Sequence, residues 1–500
     1  MRCFNMYLIF LISFCFVSCT EESGEIEEIK DPVTLSATPA SFEFEAEGGT
    51  HTLAITSNAV WKIAYTTGEW YRPSIQSVKG DASIDIIADE NEDTAERSAS
   101  LTLTAEGAAD VVIAISQKGS EAVVVEPDPE EPSYIDPDNT GMRDLTSLQL
   151  SELMGAGWNV GNSLEAISSS GGKLTGSEVT WGNPVISQEL IDSIKAAGFN
   201  AVRIPVSWSH NIEEGTDYKI KKEWLERVEE VANYVTSNQM YAIINVHWDG
   251  GWMDHPFYDQ QDVINERLAA YWKQIAIHFR DHSDYLLFAG TNEVHVENDW
   301  GDPTAEHVAV QNSFNQTFVD AVRATGGRNS YRHLVVQGFN TNITHTVNHF
   351  ITPTDSVDNK LMVEVHFYDP YEFALKEDAG GKSQWGKDFA GGDVATWGDE
   401  AWVDEVFGLM KTNFVDKGIP VVLGEYGAIL RTSLAGQAYD DHVKARNYYL
   451  NYVTAAAKAN GMIPVYWDNG NKGDKGFALF DRSTGEQVYP DAISAIVEVF

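Results

Sequence analysis

The chain has 500 residues, 43% of them hydrophobic, and carries 75 Asp and Glu against 34 Lys and Arg, a formal charge of −41. That length means more than one domain, and the composition supplies a large core. So acidic a surface repels nucleic acid and anionic lipid headgroups and excludes both as electrostatic partners, whereas a neutral polymer is unaffected. Aromatics reach 11%, with 14 Trp; they serve either as core filling or as platforms on which sugar rings stack.

The start reads as a targeting segment. Arg2 precedes an apolar run, Met6–Val17, too short to span a bilayer, which ends in Phe16-Val17-Ser18-Cys19. The three cysteines are Cys3, Cys15 and Cys19, so cleavage before Cys19 leaves no pair to join. The pattern resembles a bacterial lipoprotein signal over residues 1–18, with Cys19 as the lipidated first residue. The acidic tether over 19–32 resembles the signal that sends such lipoproteins to the outer face of the Bacteroidetes outer membrane. This implies a surface-facing protein held by hydrocarbon insertion rather than by charge.

Residues 33–119 change character. Short runs such as SFEFEA (Ser41–Ala46), HTLAITS (His51–Ser57), SIDIIA (Ser83–Ala88), SASLTLTA (Ser98–Ala105) and VVIAIS (Val111–Ser116) alternate with period two, which predicts a small β-sandwich. Glu47–Thr50 reads as a hairpin turn, and Trp61 and Trp70 as core between the sheets. The GGT turn, SNAVW (Ser57–Trp61), Trp70, the Asn91/Arg97 region and the closing Gln117-Lys118-Gly119 resemble the BACON domain. Its expected role here is a spacer ahead of sugar binding. Residues 120–141, rich in Pro and acidic residues, read as a semi-stiff linker.

Over 142–500, apolar runs alternate with helical patterns. Eight strands are predicted: Gly155–Val160, Ala201–Pro205, Tyr241–Val246, Tyr285–Ala289, His333–Gln337, Leu361–Phe367, Pro420–Leu423 and Ile463–Trp467. Between them lie segments such as Lys221–Gln239, whose apolar positions keep 3.6-residue spacing. The fold expected is α/β, a (β/α)8 TIM barrel preceded by an all-β immunoglobulin-like sandwich. A doubly wound sheet is the alternative, but no Gly-rich phosphate loop follows the first strand.

In a barrel the C-terminal strand ends form one rim. Here they bring Asn159 and Asn162 (strand 1), Arg203 (strand 2), His247-Trp248-Asp249 (strand 3), Asn292-Glu293 (strand 4), His366 and Tyr368 (strand 6), Glu425 (strand 7) and Trp467-Asp468 (strand 8). Alternation in strand 6 points Met362, Glu364, His366 and Tyr368 into the barrel, with Glu364 deep enough to be a supporting hydrogen-bonding group.

Two carboxylates, an Arg, an Asn, imidazoles and aromatics on one rim suit glycoside hydrolysis. On that reading Arg203 holds Glu425 ionised as nucleophile, and Glu293 keeps a raised pKa as acid and then base. Asn292 bonds the sugar 2-hydroxyl, Tyr368 and His366 orient the pair, and Trp467 stacks under the reacting ring. No cofactor is needed. Strand-end logic does not rank Glu293 and Glu425 above Glu165, Asp249, Asp254 or Asp468. Metal hydrolysis through His247 and His366 is a second reading, disfavoured because those residues come from nearly opposite strands. A non-catalytic surface glycan-binding protein is a third.

GWNVGNSLEA (Gly157–Ala166), TWGNP (Thr180–Pro184), GFNAVRIPVSW (Gly198–Trp208), INVHW (Ile244–Trp248), TNE (Thr291–Glu293), VEVHFYDPY (Val363–Tyr371), LGEYG (Leu423–Gly427) and the Trp467 strand together resemble glycoside hydrolase family 5. The resemblance implies a retaining mechanism with Glu293 as acid/base, Glu425 as nucleophile and no metal. Supporting roles fall to Arg203, His247, Asn292, His366, Tyr368 and Trp467, with Trp248 and Asn162 near the substrate. GNSLEA with WGNP is similar to the subfamily of endo-β-1,4-glucanases, mixed-linkage glucanases and xyloglucanases. Many of its members carry a second His where this chain has Trp248. The implied substrate is a β-glucan polysaccharide, xyloglucan or mixed-linkage glucan before crystalline cellulose, handled alongside other surface glycan-binding proteins; a β-mannanase or xylanase of the same fold is the alternative.

Overall fold

The computed structural model describes residues 32–65, 70–120, 131–216, 218–299 and 301–500. Cys19 and the tether up to residue 31 lie outside the described residues. The chain divides into two units, one ending at Glu130 and one beginning at Glu131.

The first unit is a sandwich of a four-stranded sheet (Leu35–Thr38, Gly49–Ser57, Ala82–Ala88, Tyr71–Pro73) and a five-stranded sheet (Ser41–Phe44, Val111–Gln117, Arg97–Ala105, Val60–Ala64, Ser77–Lys79). Alternate residues turn inward, so Phe44, Leu53, Trp61, Ile86, Leu101 and Ile113 are buried between the sheets. Two expectations need correction. The strands either side of Glu47–Thr50 belong to different sheets, so this turn carries the chain across the sandwich rather than closing a hairpin. Trp70 is only partly buried, and the Arg97 guanidinium lies 4.7 Å from its ring centre.

The second unit is a closed barrel of eight parallel strands: strand 1 Gly157–Asn159, strand 2 Ala201–Ile204, strand 3 Tyr241–Asn245, strand 4 Leu286–Ala289, strand 5 Leu334–Gln337, strand 6 Leu361–Phe367, strand 7 Val421–Tyr426 and strand 8 Met462–Tyr466. Each pairs with the next in chain order, and strand 1 with strand 8. Side chains alternate as the pleat requires. Tyr241, Ile243, Leu287, Met362, Val422 and Ile463 fill the interior, while Val363, Val365 and Phe367 pack outward among the helices. Helix Lys222–Ser237 buries Trp224, Val228, Val231, Ala232 and Val235 on its inner stripe. Helix Ser147–Met154, started by a Thr146/Gln149 capping box, adds Leu150 and Met154 to the barrel interior.

Part of the stretch read as linker belongs to this unit. Ile135 bridges to Gly326, the Asp138 N–H donates to the Gly327 carbonyl at 3.2 Å, and Arg280 donates to the Pro132 carbonyl at 2.9 Å. Glycine is needed at 326, where φ is +69° and a Cβ would stand 1.8 Å from the Ile135 carbonyl oxygen.

Strand 7 carries one residue more than its neighbours. Between Val365/His366 on strand 6 and Leu423/Glu425 on strand 7 the register shifts, and it shifts again against strand 8 between Leu423 and Tyr426. This bulge brings Glu425 opposite His366. Bulges re-aim side chains in this way at barrel rims and beside active sites.

Candidate active site

The site is built around Arg203, fully buried at the end of strand 2. One of its terminal nitrogens donates to Glu425 Oε1 at 3.0 Å and to Asn159 Oδ1 at 3.1 Å. The other donates to Asn292 Oδ1 at 2.6 Å and pairs with Glu364 Oε1 at 2.9 Å. A buried guanidinium is tolerable only with such partners, and its planar fork fixes both carboxylates at once. Because Arg203 occupies the Asn292 carbonyl oxygen, the amide NH2 of Asn292 is the group left for another partner.

Glu425 is buried; its second oxygen accepts a hydrogen bond from the Tyr368 hydroxyl at 2.9 Å. Burial and the nearby carboxylates push the Tyr368 phenol well above its usual pKa, so it stays a donor. Glu293 sits just past strand 4 with its side chain 40% exposed. Its backbone takes φ +48°, a strained conformation for a non-glycine residue, and its N–H donates to Gln337 Oε1 at 3.1 Å.

His366 joins the pair. Its Nδ1 lies 2.6 Å from Glu293 Oε1 and 3.7 Å from Glu425 Oε2, and its Nε2 lies 3.0 Å from Glu364 Oε1. Burial opposes charge on this imidazole, but Glu425, Glu293 and Glu364 outweigh it and raise His366 to about 10. The sequence-based expectation for the two carboxyls is reversed in direction. Burial works to raise Glu293, yet the His366 hydrogen bond and charge, with Arg203 behind, hold it below its ordinary value. Burial raises Glu425, and the charge on Glu293 adds to that against the opposing fields of His366 and Arg203.

His247 stacks parallel to Trp467, ring centres 5.9 Å apart. Asn245 accepts the Val206 N–H on its carbonyl oxygen, so its NH2 donates to His247 Nδ1 at 3.1 Å. Burial, then Arg203 and His366, drive His247 well below its usual pKa, leaving a neutral ring whose Nε2 carries the proton. Trp467 is seated by Gly161, where a Cβ would stand 2.6 Å from the indole. Trp248 is 47% exposed on the rim, its Nε1 donating to Asp254 Oδ2 at 3.2 Å. Asn162, at φ +57°, has its N–H bonded to Glu165 and its carbonyl bonded by Asn183.

The rival carboxylates are occupied elsewhere. Glu165, raised to about 7 chiefly by burial, accepts the Asn162 and Ser163 N–H groups. Asp249 accepts from Trp208, Ser209 and Trp252. Asp468 accepts from Trp158, Leu479 and Arg482, and Asp254 faces Trp248 and His295. Sequence reasoning missed Gln337, which holds the Glu293 backbone. It ends strand 5, the one strand for which no rim residue was named. Glu293, His366 and Glu425 offer atoms within 4.8 Å of one another, a spacing a cation could bridge. Within the protein those atoms already bond one another and Tyr368: His366 Nδ1 lies against Glu293 Oε1, and the Tyr368 hydroxyl donates to Glu425 Oε2.

An eight-stranded barrel with two carboxylates on strands 4 and 7, locked by a buried Arg and a shared His, defines a glycosidase of the two-carboxylate class. The model for Cellulase (glycosyl hydrolase family 5) matches residues 164–473, and the chain belongs to that family. Residues 59–118 match the BACON model, described as a putative N-terminal binding domain. The xyloglucan-specific endo-β-1,4-glucanase BoGH5A of Bacteroides ovatus is 43% identical over 499 residues, 99% of this chain and 96% of that protein. The solved structure of the Bacteroides ovatus GH5 xyloglucanase with an XXXG heptasaccharide superposes with a TM-score of 0.71 at 43% identity, covering 93% of this chain and 99% of that one. A family 5 xyloglucanase from Paenibacillus pabuli gives a TM-score of 0.65 at 40% identity, covering 70% of this chain and 99% of that one. The chain is an endo-acting β-1,4-glucan hydrolase with a BACON domain ahead of the barrel.

Proposed function

We propose that this protein cleaves the β-1,4-glucan backbone of xyloglucan with net retention, Glu425 acting as nucleophile and Glu293 as acid and then base. The observation that carries the mechanism is the separation of the two carboxylates, whose facing oxygens lie within 4.8 Å. Retaining enzymes place them ~5–5.5 Å apart, and inverting enzymes need ~6.5–9.5 Å to admit a water between them.

The proton the reaction needs is stored next door. It resides on His366 Nδ1, against Glu293 Oε1. Transfer along the 2.6 Å hydrogen bond protonates Glu293 and leaves a neutral His366 whose Nε2–H still donates to Glu364. Glu293 then gives the proton to the leaving oxygen while Glu425 attacks the anomeric carbon. Once Glu425 is esterified its charge is gone, and Glu293 is free to take a proton from the incoming water. Asn292, whose carbonyl oxygen is taken by Arg203, serves the 2-hydroxyl through its NH2.

Xyloglucan is the preferred polymer on the strength of the full-length similarity to a xyloglucan-specific enzyme. Hydrolysis of xyloglucan, barley glucan, carboxymethylcellulose, glucomannan and xylan, with product sizing, tests this: faster turnover of mannan or xylan than of any glucan overturns it. An initial α-anomer seen by proton NMR overturns retention.

The N-terminal sandwich is read as a spacer. Trp61 is buried and Trp70 has a guanidinium over its ring, so neither offers a free face to a sugar. Retardation of the isolated sandwich in a xyloglucan gel would contradict this. Lipidation at Cys19 and display on the outer membrane complete the proposal; recovery of a Cys19→Ala variant in the membrane fraction, as for wild type, would refute the anchor.

A further inference from the structure

Among the described residues, the exposed tryptophans are Trp181, Trp248 and Trp397. All three lie on connections that leave the C-terminal ends of barrel strands: strand 1, strand 3 and strand 6. Trp397 lies between strand 6 and strand 7, the strands that carry His366 and Glu425. Glu372 Oε1 accepts from the Thr396 N–H at 2.7 Å and from the Thr396 hydroxyl at 3.1 Å. Two residues along, Gly398 meets Pro370 so closely that a Cβ would stand 3.0 Å from its ring. Positions 372 and 396, and positions 370 and 398, are therefore neighbours, with Tyr371 and Trp397 on the two stretches between them. Both are open to solvent, at 56% and 44%.

Trp397 is buttressed from beneath. Trp402 packs edge-on to Trp397, ring centres 6.3 Å apart, and its Nε1 donates to Asp369 Oδ2 at 3.0 Å. Tyr368, whose hydroxyl bonds the nucleophile, is three residues before Tyr371. Two large aromatic faces left in water beside a polysaccharide cleft, with their loop pinned, are preorganised for the apolar face of a pyranose ring. We infer that Tyr371 and Trp397 form an outlying glucan subsite, a stacking platform for a backbone sugar beyond those held at Trp467. The inference rests on the β-glucanase reading.

The test is full-length Trp397→Ala, Tyr371→Ala and the double variant, assayed on polymeric xyloglucan and on a short aryl β-cellotrioside, with Trp397→Phe as rescue. Losing one stacked face should raise KM on the polymer about five- to tenfold. The short substrate should be turned over as by wild type, and Phe should restore most of the polymer KM. Equal kinetics for wild type and the double variant on both substrates overturn the subsite, as does an equal loss on both. Wild type that hydrolyses neither overturns the β-glucanase reading instead.

Discussion

Gly424 and Glu364 occupy the same space: a Cβ on Gly424 would stand 2.2 Å from Glu364 Oε1. That oxygen pairs with Arg203 and receives His366 Nε2, so the glycine before the nucleophile makes room for the carboxylate that anchors both cations. Gly424→Ala is expected to push Glu364 out of this network. Breaking a buried ion pair costs about 3 kcal/mol, which urea unfolding will register, and kcat should fall with it. An unchanged unfolding midpoint would contradict the account.

Glu425→Ala is expected to lose at least about 10⁴-fold in kcat on every substrate, because no bond to the sugar can form. Glu293→Gln should lose about 10³-fold on xyloglucan, where the leaving oxygen needs its proton. With a dinitrophenyl cellobioside, which needs no such help, Glu293→Gln should show a fast burst and then slow turnover. Stopped-flow release of the phenol distinguishes the two roles, and a burst from the Glu425 variant would exchange them.

The third expectation concerns pH. The imidazolium of His366 holds Glu293 below its ordinary value. On this account the catalytic proton is kept on His366 and is lost only as pH rises through about 10, so His366→Asn, which leaves that proton to a carboxyl, should move the alkaline limb of kcat/KM to lower pH while lowering the plateau. A limb that stays in place or moves to higher pH would show that His366 does not govern this proton.

His366 also links the site to stability. Its folded value, about 10, lies above the ordinary 6.5. Its contribution is therefore fully present below about pH 6.5 and is lost as pH rises through 10. Thermal melts from pH 6 to 10 should show a decline that His366→Asn flattens.

Gly161→Ala would set a methyl 2.6 Å from the Trp467 ring and 2.8 Å from the Asp468 carbonyl oxygen. The backbone oxygen cannot yield, so the indole should tilt away from His247. KM should rise several-fold, with a shifted tryptophan emission; an unchanged KM would mean that Trp467 carries little of the substrate.

Much of this site was legible in sequence because a barrel converts linear order into position. A polar residue at a buried strand's C-terminal end lands on the rim, and Arg203, Asn292, Glu293, His366 and Glu425 followed from that rule. Period two in strand 6 placed Glu364 behind His366 correctly. What depended on ångström-scale placement did not follow. The bulge that brings Glu425 opposite His366 is a matter of register, and the need for Gly424 appears only once Glu364 is in place. The order of the two carboxyl pKa values turns on the 2.6 Å contact between His366 and Glu293. Trp70 looked like core because alternation says inward or outward but not how near the sheet edge a residue lies.

The contacts of residues 131–141 have a directional consequence. Arg280, Thr325 and Gly326 precede strands 4 and 5, at the end of the barrel opposite Glu293 and Glu425. The chain thus enters the barrel from its back. Substitutions in residues 131–141 therefore fall on the face of the barrel remote from Glu293 and Glu425.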